Sequence, residues 1–140
     1  MALRDRLIQE EGWRNATYAD TLGNHTWGVG HLDPHSPIGE MHTDDQINAQ
    51  LDSDISAATG ALERNIPWGV TLDVVRLGVL IDMAFNMGVG KLMGFSNMLA
   101  AIRRQDYAGA AAQMLDSLWA RQVGQRAVNL ASIMSTGVDQ

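Results

Sequence analysis

The sequence predicts a mainly helical α+β fold, in which a small β lobe precedes a C-terminal helical bundle lobe. Residues that favour extended chain are concentrated before residue 43, whereas apolar residues at helical spacing dominate after it. The 140 residues are 46% hydrophobic, which is enough for one sizeable core. We expect a single domain, 1–140, with a β lobe at 13–42, a connecting helix at 43–65, and a helical lobe at 66–140 on which helix 2–11 packs.

Acidic residues are concentrated in the first half of the chain. Residues 1–70 carry 11 acidic and 4 basic side chains, a net charge of −7, whereas residues 71–140 carry 5 acidic and 6 basic ones, a net charge of +1. Phosphate binding requires clustered lysine and arginine. The sequence therefore argues against nucleic acid as a partner, and it predicts little long-range attraction to an anionic envelope.

The N-terminus does not have the pattern of a signal peptide. Arg4, Asp5 and Arg6 interrupt the apolar stretch that such a peptide needs, and no apolar stretch approaches the length of a membrane helix. The chain has no cysteine, so the fold cannot depend on disulfides or on thiolate metal ligands. We expect a protein that is made in the cytoplasm and has no membrane anchor.

The segment 11–31, EGWRNATYADTLGNHTWGVGH, combines two carboxylates, a threonine and a glycine-spaced histidine. Apolar residues precede it at helical spacing, and Gly12 supplies a stop signal. Glu11 is therefore expected to end a short amphipathic helix. A carboxylate at that position is held on a defined backbone.

A β-hairpin is predicted after this helix. Residues of β-branched and aromatic type lie on both sides of Leu22–Asn24, which has glycine at its centre. A three-residue loop there would place Thr21 opposite His25, and Asp20 near Thr26 with Cβ atoms about 5 Å apart on adjacent strands. A carboxylate and a hydroxyl would then share one site.

Glu11, Asp20 and Thr26 suit the hydrolysis of a glycosidic bond. In that reaction a carboxylic acid protonates the leaving oxygen, while a carboxylate acts as nucleophile or as base for a water. Glu11 and Asp20 fill these two roles, and the hydroxyl of Thr26 gives an attacking water a second hydrogen-bond partner. Taken singly, the same residues would be a helix-end charge, a turn residue and a strand former.

The spacing of these residues resembles that of the phage-type lysozymes of the T-even phage class, glycoside hydrolase family 24. The family motif has an acidic residue before glycine, an aspartate after eight intervening residues, and a threonine after five more. The matching residues here are Glu11, Asp20 and Thr26, followed by Gly28, Gly30 and His31. The resemblance continues at 85–88 (FNMG), 94–97 (GFSN) and 117–126 (SLWARQVGQR), so it covers nearly the whole chain.

The resemblance implies a lysozyme-like fold with a substrate cleft between the two lobes. It implies hydrolysis of the β-1,4 bond between N-acetylmuramic acid and N-acetylglucosamine in bacterial peptidoglycan, by a monomer that needs no metal or organic cofactor. Access to the cell wall in the periplasm would then depend on a separate holin-like agent. Two alternatives stay open: a lytic transglycosylase, and a catalytically inactive relative that binds glycan or has a structural role.

Substrate-binding residues are carried over by position from the resemblance. Leu32 and Phe85 are expected to line the cleft, and Met98 and Gln113 are expected to contact the sugars. Phe85 would equally suit ordinary core packing, so that alternative stays open at this position.

Several residues are expected to support the site. The resemblance implies that His31, with Gly28 and Gly30 before it, pairs with Asp54 and so holds the sheet to the connecting helix. Asp82 lies in a segment that is apolar almost all round, where a buried carboxylate needs a partner. The resemblance places it beneath Glu11 with Arg126 nearby; the alternative is an aspartate on the helix surface.

The rest of the chain is predicted to be a loop followed by helices. Residues 32–42 contain two prolines, a glycine and no periodicity, which predicts a loop. The eight methionines are expected to fill the core. The predicted helices are 44–64, which begins with a capping box at Thr43, then 72–87, which is capped by Thr71, and then 96–104, 106–122 and 125–135.

His25, His35 and His42 are the histidines that could suggest a metal site. Their spacing matches no regular metal-ligand motif, and no helix motif accompanies them. We therefore expect solvated loop side chains and no bound metal.

Overall fold

The computed structural model describes residues 1–139, and within them eight α-helices accompany one three-stranded antiparallel sheet. The first elements are α1 (Leu3–Glu11), β1 (Arg14–Ala19), β2 (His25–Gly28), β3 (His31–Leu32) and α2 (Asp44–Asn65). A 3-10 helix (Pro67–Thr71) precedes α3 (Val74–Met87), α4 (Val89–Met93), α5 (Ser96–Arg103), α6 (Tyr107–Leu115), α7 (Leu118–Val123) and α8 (Gln125–Thr136). The predicted mainly helical α+β class is confirmed.

The chain divides by its internal contacts into two compact units. The N-terminal unit contains residues 2–57, and the C-terminal unit contains Met1 and the chain from residue 58 onward. The division falls within α2, so the sheet and α1 belong to the first unit and α3 to α8 belong to the second.

The sheet of the N-terminal unit has the strand order β1-β2-β3, and the loop after β3 covers the outer edge of β1. The Thr17 N–H donates to Glu40 O at 2.9 Å, and the His42 N–H donates to Asn15 O at 2.7 Å. An uncovered strand edge invites pairing with other chains. The loop predicted at 32–42 therefore closes the sheet on this side.

Two helix ends follow the predicted capping rules. α1 ends at Glu11 because Gly12 adopts φ +83°, and the Gly12 N–H donates to Ile8 O at 2.8 Å. α2 begins with the predicted capping box: the Thr43 N–H donates to Gln46 Oε1 at 2.8 Å, and the Gln46 N–H donates to Thr43 Oγ1 at 3.1 Å. Local sequence fixes both ends.

Two helix predictions in the C-terminal unit are wrong. Thr71 ends the 3-10 helix, and α3 is capped instead by Asp73, whose Oδ2 accepts from the Arg76 N–H at 3.0 Å. The predicted helix 106–122 is two helices, because Ser117 Oγ accepts from a main-chain N–H of α7 at 3.1 Å. A short polar side chain that bonds an N–H two or three residues ahead starts a new helix.

The core of the C-terminal unit is helical. α8 packs against α3 and α6, and α6 also packs against α5. The segment predicted to be apolar almost all round is α3, which has seven consecutive buried residues from Gly78 to Ala84. No helix within residues 1–139 is both long enough and apolar enough to cross a membrane.

Half of the methionines fill the core as predicted. The fully buried ones, none more than 1% exposed, are Met83, Met98, Met114 and Met134. The prediction is wrong for the three that are at least 36% exposed, which are Met1, Met41 and Met93. These three lie at the N-terminus, in the loop beside β1 and at the end of α4, where little of the chain surrounds them.

Candidate active site

Asp20 lies in the hairpin turn and not on a strand. β1 ends at Ala19, and the strand register pairs Ala19 with His25 and Tyr18 with Thr26. The predicted three-residue loop, with Asp20 beside Thr26 on adjacent strands, is therefore wrong. The turn is wider than predicted because the Asp20 side chain bonds N–H groups inside it.

The Asp20 carboxylate accepts three hydrogen bonds from the turn. Its Oδ1 accepts from the main-chain N–H groups of Leu22 at 2.9 Å and Asn24 at 2.8 Å, and its Oδ2 accepts from Asn24 Nδ2 at 3.2 Å. These bonds, above all the one from the Asn24 main chain, hold the pKa of Asp20 below its ordinary value of 3.8. Asp20 therefore stays ionised in neutral and mildly acidic solution. Sequence pattern alone gives Asn24 no role beyond that of a common turn residue.

Thr26 is linked to Asp20 through the carbonyl of Asn24. Thr26 Oγ1 donates to Asn24 O at 3.2 Å, and the Asp20 N–H donates to the same oxygen at 2.9 Å. Thr26 is only 3% exposed within β2. Because the Thr26 hydroxyl uses its proton to donate to the Asn24 carbonyl, the lone pairs of Thr26 Oγ1 can accept a hydrogen bond from a water.

Glu11 packs against the glycine-spaced turn between β2 and β3. Gly30 has φ +65°, and a Cβ built on it would lie 2.7 Å from Glu11 Oε2 and 3.0 Å from Glu11 Cδ. Gly28 has φ +64°, and its Cβ would lie 3.2 Å from Ile47 Cγ2 of α2. Both positions favour glycine for their backbone conformation. Gly30 also leaves the space that the Glu11 carboxylate occupies.

His31 and Asp54 form the pair that the family resemblance implies. His31 Nδ1 lies 2.8 Å from Asp54 Oδ2, and Gln50 Nε2 donates to Asp54 Oδ1 at 2.9 Å. Each side chain of the pair is 24% exposed, so the pair is only partly shielded from water. It joins β3 to α2 within the N-terminal unit.

Trp27 is a contact centre that the sequence pattern does not reveal. Its ring stacks on His42 with centroids 3.8 Å apart and meets the ring of His31 edge-on at 5.1 Å. Its Nε1 donates to Asp33 Oδ2 at 3.1 Å, and this bond is the main reason that the pKa of Asp33 lies below its ordinary value. The indole thus joins β2 to the loop that covers β1.

His42 is buried, so the prediction of solvated loop histidines is wrong for this residue. Its Nε2 lies 3.0 Å from Thr17 Oγ1, which lies 2.6 Å from Ser36 Oγ. These hydroxyls and the stacked indole compensate for its burial. His35 is exposed, as predicted, but the prediction is also wrong for His25, which begins β2, is half-buried and has its Nδ1 2.7 Å from Ser36 O. Within residues 1–139, no three His, Cys, Asp or Glu side chains are grouped so that they could hold a metal ion.

The four predicted substrate-binding residues differ in accessibility. Leu32 is 59% exposed at the end of β3, Gln113 is exposed on α6, and Phe85 is half-buried on α3. Met98 is 1% exposed and belongs to the core. The prediction of a sugar contact is therefore wrong for Met98, because its side chain offers no surface to a ligand.

Asp82 is fully buried in α3 and forms an ion pair. Its Oδ1 accepts from Arg126 Nε at 3.1 Å and from Arg126 Nη2 at 2.9 Å. This excludes the alternative of an aspartate on the helix surface. A carboxylate without solvent requires such a charged partner, and the pair ties α3 to α8.

Comparison with known proteins gives consistent matches. The family model described as phage lysozyme matches residues 8–132. Probable T4-type lysozyme 1 of Dictyostelium discoideum is 29% identical, over 97% of this chain and 95% of that protein. The endolysin of Acyrthosiphon pisum secondary endosymbiont phage 1 is 30% identical, over 83% of this chain and 77% of that protein. The pre-baseplate central spike protein Gp5 of Enterobacteria phage T4 is 30% identical over 98% of this chain, but the match spans only 28% of that longer protein.

These matches identify the class of protein as a glycoside hydrolase. More particularly, the chain belongs to the phage lysozyme family, since the family model covers most of its length. The family resemblance read from the motif is thereby confirmed. Peptidoglycan hydrolysis is accordingly the general activity of this protein.

Replacing Gly30 with alanine should reduce both stability and activity. The new Cβ would meet the Glu11 carboxylate, and alanine is strained at φ +65°. We expect the free energy of unfolding to fall by about 1–3 kcal/mol. The family motif predicts Glu11 as the acid, and a small displacement of such a group is costly, so we expect the rate of cell-wall lysis to fall about a hundred-fold. Urea unfolding and a turbidity assay on permeabilised bacteria measure the two effects.

Gly39→Ala is the matched control. Gly39 has φ +90°, lies in the same unit, and has nothing within 4 Å of the position of a Cβ. This variant shares the backbone strain without touching Glu11, so it should lose stability but keep its lytic rate per folded molecule. Equal losses of activity in the two variants would show that Gly30 does not act by leaving room for Glu11.

Proposed function

We propose that this protein hydrolyses the β-1,4 bond between N-acetylmuramic acid and N-acetylglucosamine, with Glu11 as general acid and Asp20 as the base that activates water. The observation that carries this proposal is the turn 20–24. There, N–H donors keep Asp20 ionised, and the Asn24 carbonyl holds the hydroxyl of Thr26. An ionised carboxylate and an oriented hydroxyl, linked through the Asn24 carbonyl of one turn, are two groups that can direct a water.

In the proposed reaction, Glu11 gives its proton to the oxygen of the leaving sugar as the glycosidic bond breaks. A water attacks the anomeric carbon from the opposite side and passes a proton to Asp20. Thr26 accepts a hydrogen bond from that water, since its own proton is directed to Asn24 O. The chemistry needs only the two carboxyl groups, the hydroxyl and the water.

Gly28, Gly30 and the pair of His31 and Asp54 act as support in this proposal. Gly30 gives the Glu11 carboxylate its space, and the pair fixes β3 against α2. Leu32, Phe85 and Gln113 are proposed as sugar contacts on the strength of the family resemblance.

The proposed mechanism inverts the configuration at the anomeric carbon. A water between carboxylate and sugar requires carboxyl groups about 6.5–9.5 Å apart, whereas a retaining enzyme brings them to about 5–5.5 Å. A lytic transglycosylase, the enzymatic alternative, needs no such water, because the sugar's own hydroxyl closes a 1,6-anhydro ring. The Asp20 turn with its neighbouring hydroxyl favours hydrolysis.

Product analysis tests this proposal directly. Purified peptidoglycan digested by the protein should yield reducing N-acetylmuramic acid ends, initially in the α configuration, by mass spectrometry and early-time NMR. Products with 1,6-anhydro ends would contradict hydrolysis and show that the protein is a lytic transglycosylase. An initial β product would contradict the direct-water role of Asp20.

The bacterial cell wall is the proposed place of action, because one relative is an endolysin by name. We propose that the protein acts there as a monomeric single domain made in the cytoplasm. A separate holin-like agent would give it access to the periplasm.

A further inference from the structure

Arg14 differs from the other two arginines of the N-terminal unit. That unit carries ten acidic side chains against three arginines. Arg4 pairs with Asp52 at 3.3 Å, and Arg6 pairs with a neighbouring glutamate at 3.9 Å. Within the part of the chain that the structure describes, no carboxylate lies within ion-pair distance of Arg14. Arg14 is therefore the arginine of this unit that has no carboxylate partner in the described structure.

The Arg14 guanidinium is held by an aromatic ring instead. It lies over the ring of Tyr18, 4.6 Å from the centroid, and Arg14 is exposed to solvent. A guanidinium stacked on a ring keeps its N–H groups available at the edges of its plane. Arg14 is thus positioned by a contact that uses none of its hydrogen-bond donors.

The strand register places this arginine beside the candidate site. Tyr18 is the cross-strand partner of Thr26, and Arg14 is the partner of Gly28, with an irregularity in the register between the two pairs. Partners in an antiparallel pair project from the same face of the sheet. The ring that carries Arg14 therefore shares a face with the hydroxyl proposed to hold the water.

We propose that Arg14 binds a carboxylate of the substrate and so sets the position of the glycan strand at the site. The proposal rests on the proposed function, because it concerns the same substrate. Two parts of peptidoglycan can supply the group: the peptide stems, and the lactyl group of N-acetylmuramic acid where a stem is missing. Arginine matches a carboxylate with two parallel N–H donors. The ten acidic side chains of the unit repel an anionic strand, so Arg14, the arginine not paired with a carboxylate, determines where the carboxylate of the strand binds.

Arg14→Gln tests the proposal on soluble glycan strands. Native strands are compared with strands whose stem carboxylates have been converted to amides by carbodiimide and ammonia. On native strands at low salt, KM should rise about five-fold with kcat unchanged, as for an exposed charge contact. On amidated strands the variant should equal the wild type, and high salt should reduce the difference on native strands.

Arg4→Gln is the matched control, since it removes the same charge from the same unit at a position already paired with Asp52. It should leave KM on native strands within the error of the wild type. An unchanged KM for Arg14→Gln, or the same rise in KM on native and amidated strands, would overturn the proposal. A wild-type protein that releases no reducing ends from native strands would instead overturn the proposed function.

A third substrate identifies the source of the carboxylate. An amidase that removes the stems leaves a free lactyl carboxylate on each N-acetylmuramic acid. If the effect of Arg14→Gln persists on these strands, the lactyl group supplies the carboxylate; if the effect disappears, the stem supplies it. Both results support a carboxylate ligand.

Discussion

Glu11→Gln should reduce the hydrolysis of peptidoglycan about a thousand-fold while the fold survives. Glutamine keeps the size of the side chain and its place against Gly30, but it has no proton to give to the leaving sugar. The measurement is the rate of appearance of reducing ends, with circular dichroism and a thermal melt to show that the variant is folded. Activity within ten-fold of the wild type would remove Glu11 from its proposed role.

Glu40→Gln is the control for this experiment. Glu40 is an exposed carboxylate of the same N-terminal unit, so the variant makes the same change of charge away from the proposed acid. We expect it to keep wild-type turnover. The comparison also addresses the non-enzymatic alternative, because an inactive relative would show no turnover that Glu11→Gln could abolish.

Asp82→Leu should lower the free energy of unfolding by about 3–5 kcal/mol. The substitution removes the carboxylate that accepts two hydrogen bonds from Arg126, whose side chain is only 10% exposed. The largely buried guanidinium then loses the charge of this carboxylate. Urea unfolding followed by circular dichroism measures the change.

Two further variants separate the ion pair from general effects of substitution. Asp116→Asn alters an exposed aspartate of the same unit and should change stability by less than about 0.5 kcal/mol. The double variant Asp82→Leu with Arg126→Leu removes both charges and should recover part of the loss. If Asp82→Leu lowers the free energy of unfolding no more than Asp116→Asn does, the ion pair does not stabilise the fold as predicted.

Local sequence determined two helix ends and indicated three residues of the candidate site. Gly12 ends α1 and the capping box of Thr43 and Gln46 begins α2, because each interaction joins residues only a few positions apart. The spacing of Glu11, Asp20 and Thr26 was enough to indicate a glycosidase and its family, since chemistry and motif depend on residue type and order.

Tertiary structure alone decided the burial of individual side chains. The hairpin register was decided locally but could not be predicted from the strand formers, which fit more than one register; the N–H groups of Leu22 and Asn24 that donate to the Asp20 carboxylate select the wider loop. The sequence predicted a solvated loop side chain for His42, but the ring of Trp27 stacks on it and shields it from solvent. The burial of Met98 and the lack of an acidic partner for Arg14 were likewise not predicted from the sequence. Both depend on which residues surround the side chain in the folded chain, and no local pattern specifies those neighbours.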